Sequence, residues 1–235
     1  MKKILSVAVF LCLFFLLPTL SPAKGIDLYS LFPNLTLGSD PNGTDYVYLS
    51  CAGITANTFT LQVHVVTDNV APMDYLQGID VCLVATANQP GVTFDTTEAT
   101  VFASSAVNGW GIKSVDTPNG PPNSFPLVIH LGAVELDTAD AGSVLGPGDY
   151  VFATLKFNLT SRTDICGAEI NDCDPTLVTT LANGYIVHFS PPETCCDCRC
   201  FPIPTLSEWG LILFGLVLFG TLIWYLRRSR QAIAG

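Results

Sequence analysis

The sequence predicts one all-β domain of sandwich or barrel type, set between two membrane-directed termini. Three observations predict it. Through the middle of the chain, short apolar runs alternate with polar residues at a period of two, as half-buried strands do. Gly, Pro and Asn cluster between those runs, where chain reversals need them. Outside the termini, no stretch keeps a helical period for three turns.

The elements follow in order. Tyr46–Ser50 is a short first strand. Thr58–Val66 alternates, with Phe59, Leu61, Val63 and Val65 on one face. Gly78–Val84 is the next long strand, followed by short candidates at Gly91–Phe94 and Thr100–Ala103. Phe125–Leu131, Tyr150–Leu159 and Gly184–Phe189 complete the set. Pro41-Asn42-Gly43, Pro118–Pro122, Gly146–Asp149 and Ala182-Asn183-Gly184 supply the turns. Many short strands at this spacing bury their apolar faces best as two packed sheets or a closed barrel.

The termini read differently. Met1-Lys2-Lys3 is a positive head, Ile4–Leu17 an apolar run, and Ser21-Pro22-Ala23 a small-residue cleavage site, so residues 1–23 are expected to be a signal peptide. At the other end Trp209–Leu226 carries no charge. As a helix it would span about 27 Å, close to the roughly 30 Å of a bilayer core. Arg227, Arg228 and Arg230 follow it as a stop-transfer signal, which puts residues 227–235 in the cytoplasm and the bulk of the chain outside the membrane.

Composition fits that address. Residues 24–202 hold nineteen acids and five bases, a balance of −14. Such a surface repels phosphate backbones and excludes nucleic acid as a partner. Eight cysteines lie outside the signal peptide: Cys51, Cys82, Cys166, Cys173, Cys195, Cys196, Cys198 and Cys200. An even number in an exported chain predicts disulfides. Their connectivity stays open, with Cys166 and Cys173 a reasonable local pair across one short loop.

Two stretches resemble known families. Ile203-Pro204-Thr205-Leu206-Ser207-Glu208-Trp209-Gly210, followed by the apolar run and the arginines, resembles the IPTL-CTERM sorting domain, a variant of the PEP-CTERM signals of Gram-negative surface proteins. The resemblance covers residues 203–230. It implies an envelope protein handled by an exosortase-type sorting enzyme, a cysteine transpeptidase for which residues 203–210 are substrate. Separately, Gly78–Val84 and Pro147-Gly148-Asp149-Tyr150 leading into Leu155-Lys156-Phe157-Asn158-Leu159 resemble cohesin-like β-sandwiches. That likeness implies a jelly-roll sandwich used in adhesion, scaffolding or sugar binding.

His64, His130 and His188 each sit in a strand whose apolar set faces the other way, so they are expected on outer surfaces rather than as a metal site. Asp164–Asp174 offers oxygens for calcium but lacks EF-hand spacing, and reads as a solvated loop; Asp137–Asp140 is a weaker case of the same kind. Cys195-Cys196-Asp197-Cys198-Arg199-Cys200 could hold a soft metal or serve redox chemistry, but an oxidising compartment favours disulfides that tie a stalk to the sandwich. No hydrolase, zincin or phosphate-loop motif is present.

The expected protein is therefore a non-enzymatic surface protein needing no cofactor or metal. It comprises residues 24–190 as a sandwich (core about 40–190), 191–202 as a cysteine-rich stalk and 203–230 as a sorting region. Its expected partners are the membrane, the sorting enzyme, and extracellular polysaccharide or another surface protein. A carbohydrate-binding module or extracellular hydrolase is the alternative reading, and a thiolate metal or redox protein the second.

Overall fold

Strict alternation along Thr58–Thr67, with every second side chain buried, dictates a two-faced strand, and the computed structural model builds the domain around it. The structure describes residues 26, 28–137, 143–170 and 173–196. The expected signal peptide, the sorting motif Ile203–Gly210, the helix Trp209–Leu226, Arg227, Arg228, Arg230, Cys198 and Cys200 all lie outside the described residues. Among the described residues no helix is long and apolar enough to cross a membrane.

Two sheets face each other. The smaller joins β2 (Tyr46–Ile54), β3 (Thr58–Thr67), β8 (Gly148–Leu159) and β5 (Val92–Phe94) in that order. The larger runs from β1 (Thr36–Leu37) through β11 (Asn183–Ile186), β10 (Thr176–Thr179), β4 (Leu76–Ala87) and β7 (Leu127–Val134) to β6 (Ile112–Asp116). β4 is long enough to take two neighbours on one edge. Its start pairs with β10 and its end with β9 (Ile165–Glu169), which in turn pairs with β12 (Glu193–Cys196).

The inner faces make one core. Leu61, Val63 and Val65 of β3 meet Val81 and Leu83 of β4 and Ile129 and Leu131 of β7, all fully buried. Phe157 of β8 lies within 6.2 Å, ring to ring, of Phe59, Phe94 and Phe125. A second, smaller cluster covers the outer face of the larger sheet. There Leu28 of a single helical turn, α1 (Leu28–Leu31), packs with Val134 and Val178, and Ile26, Phe32 and Leu35 close around them.

Three expectations need correcting. Thr100–Ala103 is no strand: Glu98–Val101 forms a helical turn, α2, whose carboxylate lies in the first turn where the helix dipole favours it. Residues 193–196, placed in a stalk by the sequence, form β12 and belong to the larger sheet. Cys166 and Cys173 do not pair, because β9 carries Cys166 into register with Cys195, while Cys173 comes alongside Cys82.

Candidate functional surfaces and the cysteine clamp

The last described strand is held on both of its faces. Successive residues of a strand point to opposite sides, so Cys195 and Cys196 leave β12 in opposite directions. Cys196 is buried and bonds Cys51 of β2, linking the larger sheet to the smaller. Cys195 bonds Cys166 directly across on β9. Cys82 of β4 bonds Cys173, which fixes the connection between β9 and β10. Six of the eight expected cysteines are thus paired. Two of the four sulfurs that a soft-metal site at Cys195–Cys200 would need are consumed.

The histidines do not meet. Each faces outward and takes its own carboxylate: His64 with Asp149, His130 with Asp80, His188 with Glu169. His130 is half-buried. Burial alone would lower its pKa, but the hydrogen bond and charge of Asp80, with Asp116 beyond, carry it above the usual imidazole value. His188 is raised chiefly by its hydrogen bond to Glu169.

His64 belongs to a polar array that the sequence did not reveal. A β-bulge in β8 at Phe152 shifts the register, so that Val63 faces Ala153 but His64 faces Val151. A one-residue shift moves every following side chain to the other face. Asp149 is thereby brought onto the outer face. It accepts a hydrogen bond from the Tyr48 hydroxyl at 2.8 Å and lies 3.1 Å from His64 Nδ1, while Ser50 Oγ lies 3.0 Å from His64 Nε2. The Tyr48 and His64 rings stack at 4.3 Å, and desolvation together with Asp149 pushes the Tyr48 hydroxyl up to about 12.

Ser50, His64 and Asp149 have the hydrogen-bond order of a nucleophile, base and orienting acid. Acyl transfer also needs donors aimed at the oxyanion. Strand N–H groups lie in the plane of the sheet, at right angles to the Ser50 side chain, so the backbone of β2 and β3 aims none above it, whereas the Gln62 side chain stands directly opposite Ser50. Asp149 is half exposed as well.

Two further features complete the surface. Asp45, buried at the start of β2, accepts hydrogen bonds from Asn69, the Asp68 N–H and the Tyr185 hydroxyl. Burial still lifts its carboxyl above the ordinary range. A cleft of about 310 Å³ lies beside β5, lined by Asn88, Gln89, Asn123 and Phe125 among others, and its lining carries no titratable side chain.

Comparison with known proteins gives two likenesses. Residues 201–230 match the IPTL-CTERM motif. The chain is also similar to cohesin modules. One is the second type II cohesin module of the adaptor ScaA scaffoldin of Acetivibrio cellulolyticus, at 13% identity and a TM-score of 0.44, over 69% of this chain and 93% of that one. Another is the type II cohesin–X-dockerin complex of the same organism, at 14% identity, a TM-score of 0.41, and 62% and 96% of the two chains. A third is the type I OlpA cohesin complex of Clostridium thermocellum, at 10% identity, a TM-score of 0.40, and 66% and 99%. No curated protein sequence matches the chain.

Proposed function

We propose that the chain is an exported bacterial envelope protein, held in the membrane by its tail until an exosortase-type enzyme processes it, whose β-sandwich works by surface contact rather than by catalysis. The observation that carries this reading is the IPTL-CTERM match at residues 201–230, which begins five residues after the disulfide-held strand β12 ends at Cys196. Disulfides inside the sandwich support an oxidising compartment independently of that motif. The lining of the cleft beside β5, which carries no titratable side chain, supports a non-catalytic role for that cleft.

The contact surface we assign is the outer face of the smaller sheet. There Tyr46 and Tyr48 offer rings, and Ser50, Gln62 and Thr60 offer hydroxyl and amide groups. That mixture of flat apolar rings and neutral donors suits a polysaccharide better than an apolar protein face.

Protease added to intact spheroplasts tests the address: the sandwich is expected to be digested, and its survival until lysis refutes the reading. Mass spectrometry of the envelope fraction tests processing. Mature protein is expected to lack Leu211–Leu226, and its retention removes the sorting enzyme from the account while leaving the anchor.

A further inference from the structure

Four groups of metal-competent side chains come together among the described residues. In two of them, Cys82/His130/Cys173 and Cys166/Glu193/Cys195, the sulfurs are spent in disulfides. In the third, Asp40/Asp45/Asp68, the carboxylates are largely taken by the chain's own donors: the N–H groups of Asn42, Asp45 and Asp68, the Asn69 amide, and the Thr44 and Tyr185 hydroxyls.

In the fourth group Glu169 already takes His188 and the Phe189 N–H, and the difference lies in the group's second carboxylate. Glu169, Asp174 and His188 place one ligand atom each within 4.8 Å of one another. The Asp174 carboxylate makes no hydrogen bond to another side chain or N–H among the described residues. We propose that Glu169, Asp174 and His188 bind one divalent cation of the zinc class.

The donor set selects the metal. One imidazole and two carboxylates suit a borderline ion such as zinc, whereas calcium asks for six to eight oxygens. One of the three spacings is close to that of two ligands on a common ion. His188 Nδ1 and Glu169 Oε1 are 2.9 Å apart, and two ligands of a tetrahedral zinc ion lie about 3.3 Å apart. Binding therefore needs these two groups to separate by only a few tenths of an ångström.

The backbones are fixed without the ion. Glu169 ends β9, three residues beyond the bridge at Cys166, and its N–H donates to Pro192 O at 2.9 Å. Asp174 directly follows Cys173, which is bonded to Cys82. His188 lies between Val187, whose N–H reaches Pro175 O, and Phe189, and its own carbonyl accepts the Val47 N–H. Preorganisation of this kind lowers the cost of assembling the site. The His188 side chain is 72% exposed, so an ion can enter from solvent, and water can complete its coordination.

The test is calorimetric titration of zinc chloride into the full chain, purified in detergent without a histidine tag. Cys198→Ser and Cys200→Ser are built in so that those thiols supply no zinc ligands. One zinc per chain is expected. His188→Ala and Asp174→Asn should each weaken binding about tenfold or more, with melting temperatures in the absence of metal like that of the parent. Absence of binding, binding unchanged in both variants, or a preference for calcium over zinc would each overturn the proposal.

Discussion

Replacing Cys51 and Cys196 together by Ala cuts the covalent tie between the two sheets. The pair is 145 residues apart in sequence, and closing such a loop alone is worth about 5 kcal/mol on the chain-entropy relation. The other two bridges shorten the loop. With them intact, the shortest covalent route from Cys51 runs forward to Cys82, across to Cys173, back to Cys166, and across to Cys195 beside Cys196. That route is on the order of 40 residues, which reduces the expected loss to about 4 kcal/mol. In a domain of this size each kcal/mol moves the melting temperature by about 2–4 °C, so a fall of about 8–16 °C is expected. Thermal unfolding followed by circular dichroism on oxidised protein in detergent reads this directly, with urea titration giving the free energy. A loss below about 1 kcal/mol would refute the reasoning, since it would mean that the Cys51–Cys196 bridge constrains almost nothing that the other two bridges leave free.

Four other perturbations have defined outcomes. Phe157→Ala opens a cavity among Phe59, Phe94 and Phe125 and should cost about 3–5 kcal/mol in urea unfolding. Tyr185→Phe strips Asp45 and Asn69 of a buried partner and should cost about 1–3 kcal/mol by the same assay. Gly167→Ala would set a methyl group 2.6 Å from Leu49 Cδ1 and 3.1 Å from Leu61 Cδ2, between the sheets, and should cost about 1–3 kcal/mol. His130 has a folded pKa above its unfolded value, so its pairing with Asp80 stabilises fully below about pH 6.5 and is lost as pH rises through the folded pKa. A melting series from acid to alkaline pH should show this decline, on the order of 1 kcal/mol, and Asp80→Asn should flatten it.

The fold was legible where burial on one face imposed a period. β3 alternates without a break, and Leu127, Ile129 and Leu131 of β7 and Tyr185 of β11 fall on the faces their patterns predict. β6 was not legible because Ile112–Asp116 is only partly buried along its length, so no alternation marks it. β9 and β12 are short and cysteine-bearing, and their pairing is set by partners far away in the chain. The disulfide pattern follows from that pairing and could not be had from spacing. The Tyr48–His64–Asp149 array was hidden for a related reason. Counted at a period of two from Ala153, Asp149 falls on the inner face, and only the bulge at Phe152 turns it outward.

The placement of β12 gives the cysteine clamp a mechanical meaning. By hydrogen bonds alone β12 is a weak attachment, since it pairs with β9 over four residues and, among the described residues, has no strand on its other side. Such an edge can be unzipped one residue pair at a time. Any tension reaching the domain through residues 197–202 enters at Cys196. The bridge to Cys51 passes it into β2, and thence to β3 and β8 over long ladders. The bridge from Cys195 passes it to β9 at Cys166. Load then falls on both sheets in parallel, and peeling β12 requires breaking covalent bonds first. If the chain is held by its carboxy-terminal tail before processing, as we propose, bridges on two adjacent residues of the last strand would keep that load off the edge hydrogen bonds.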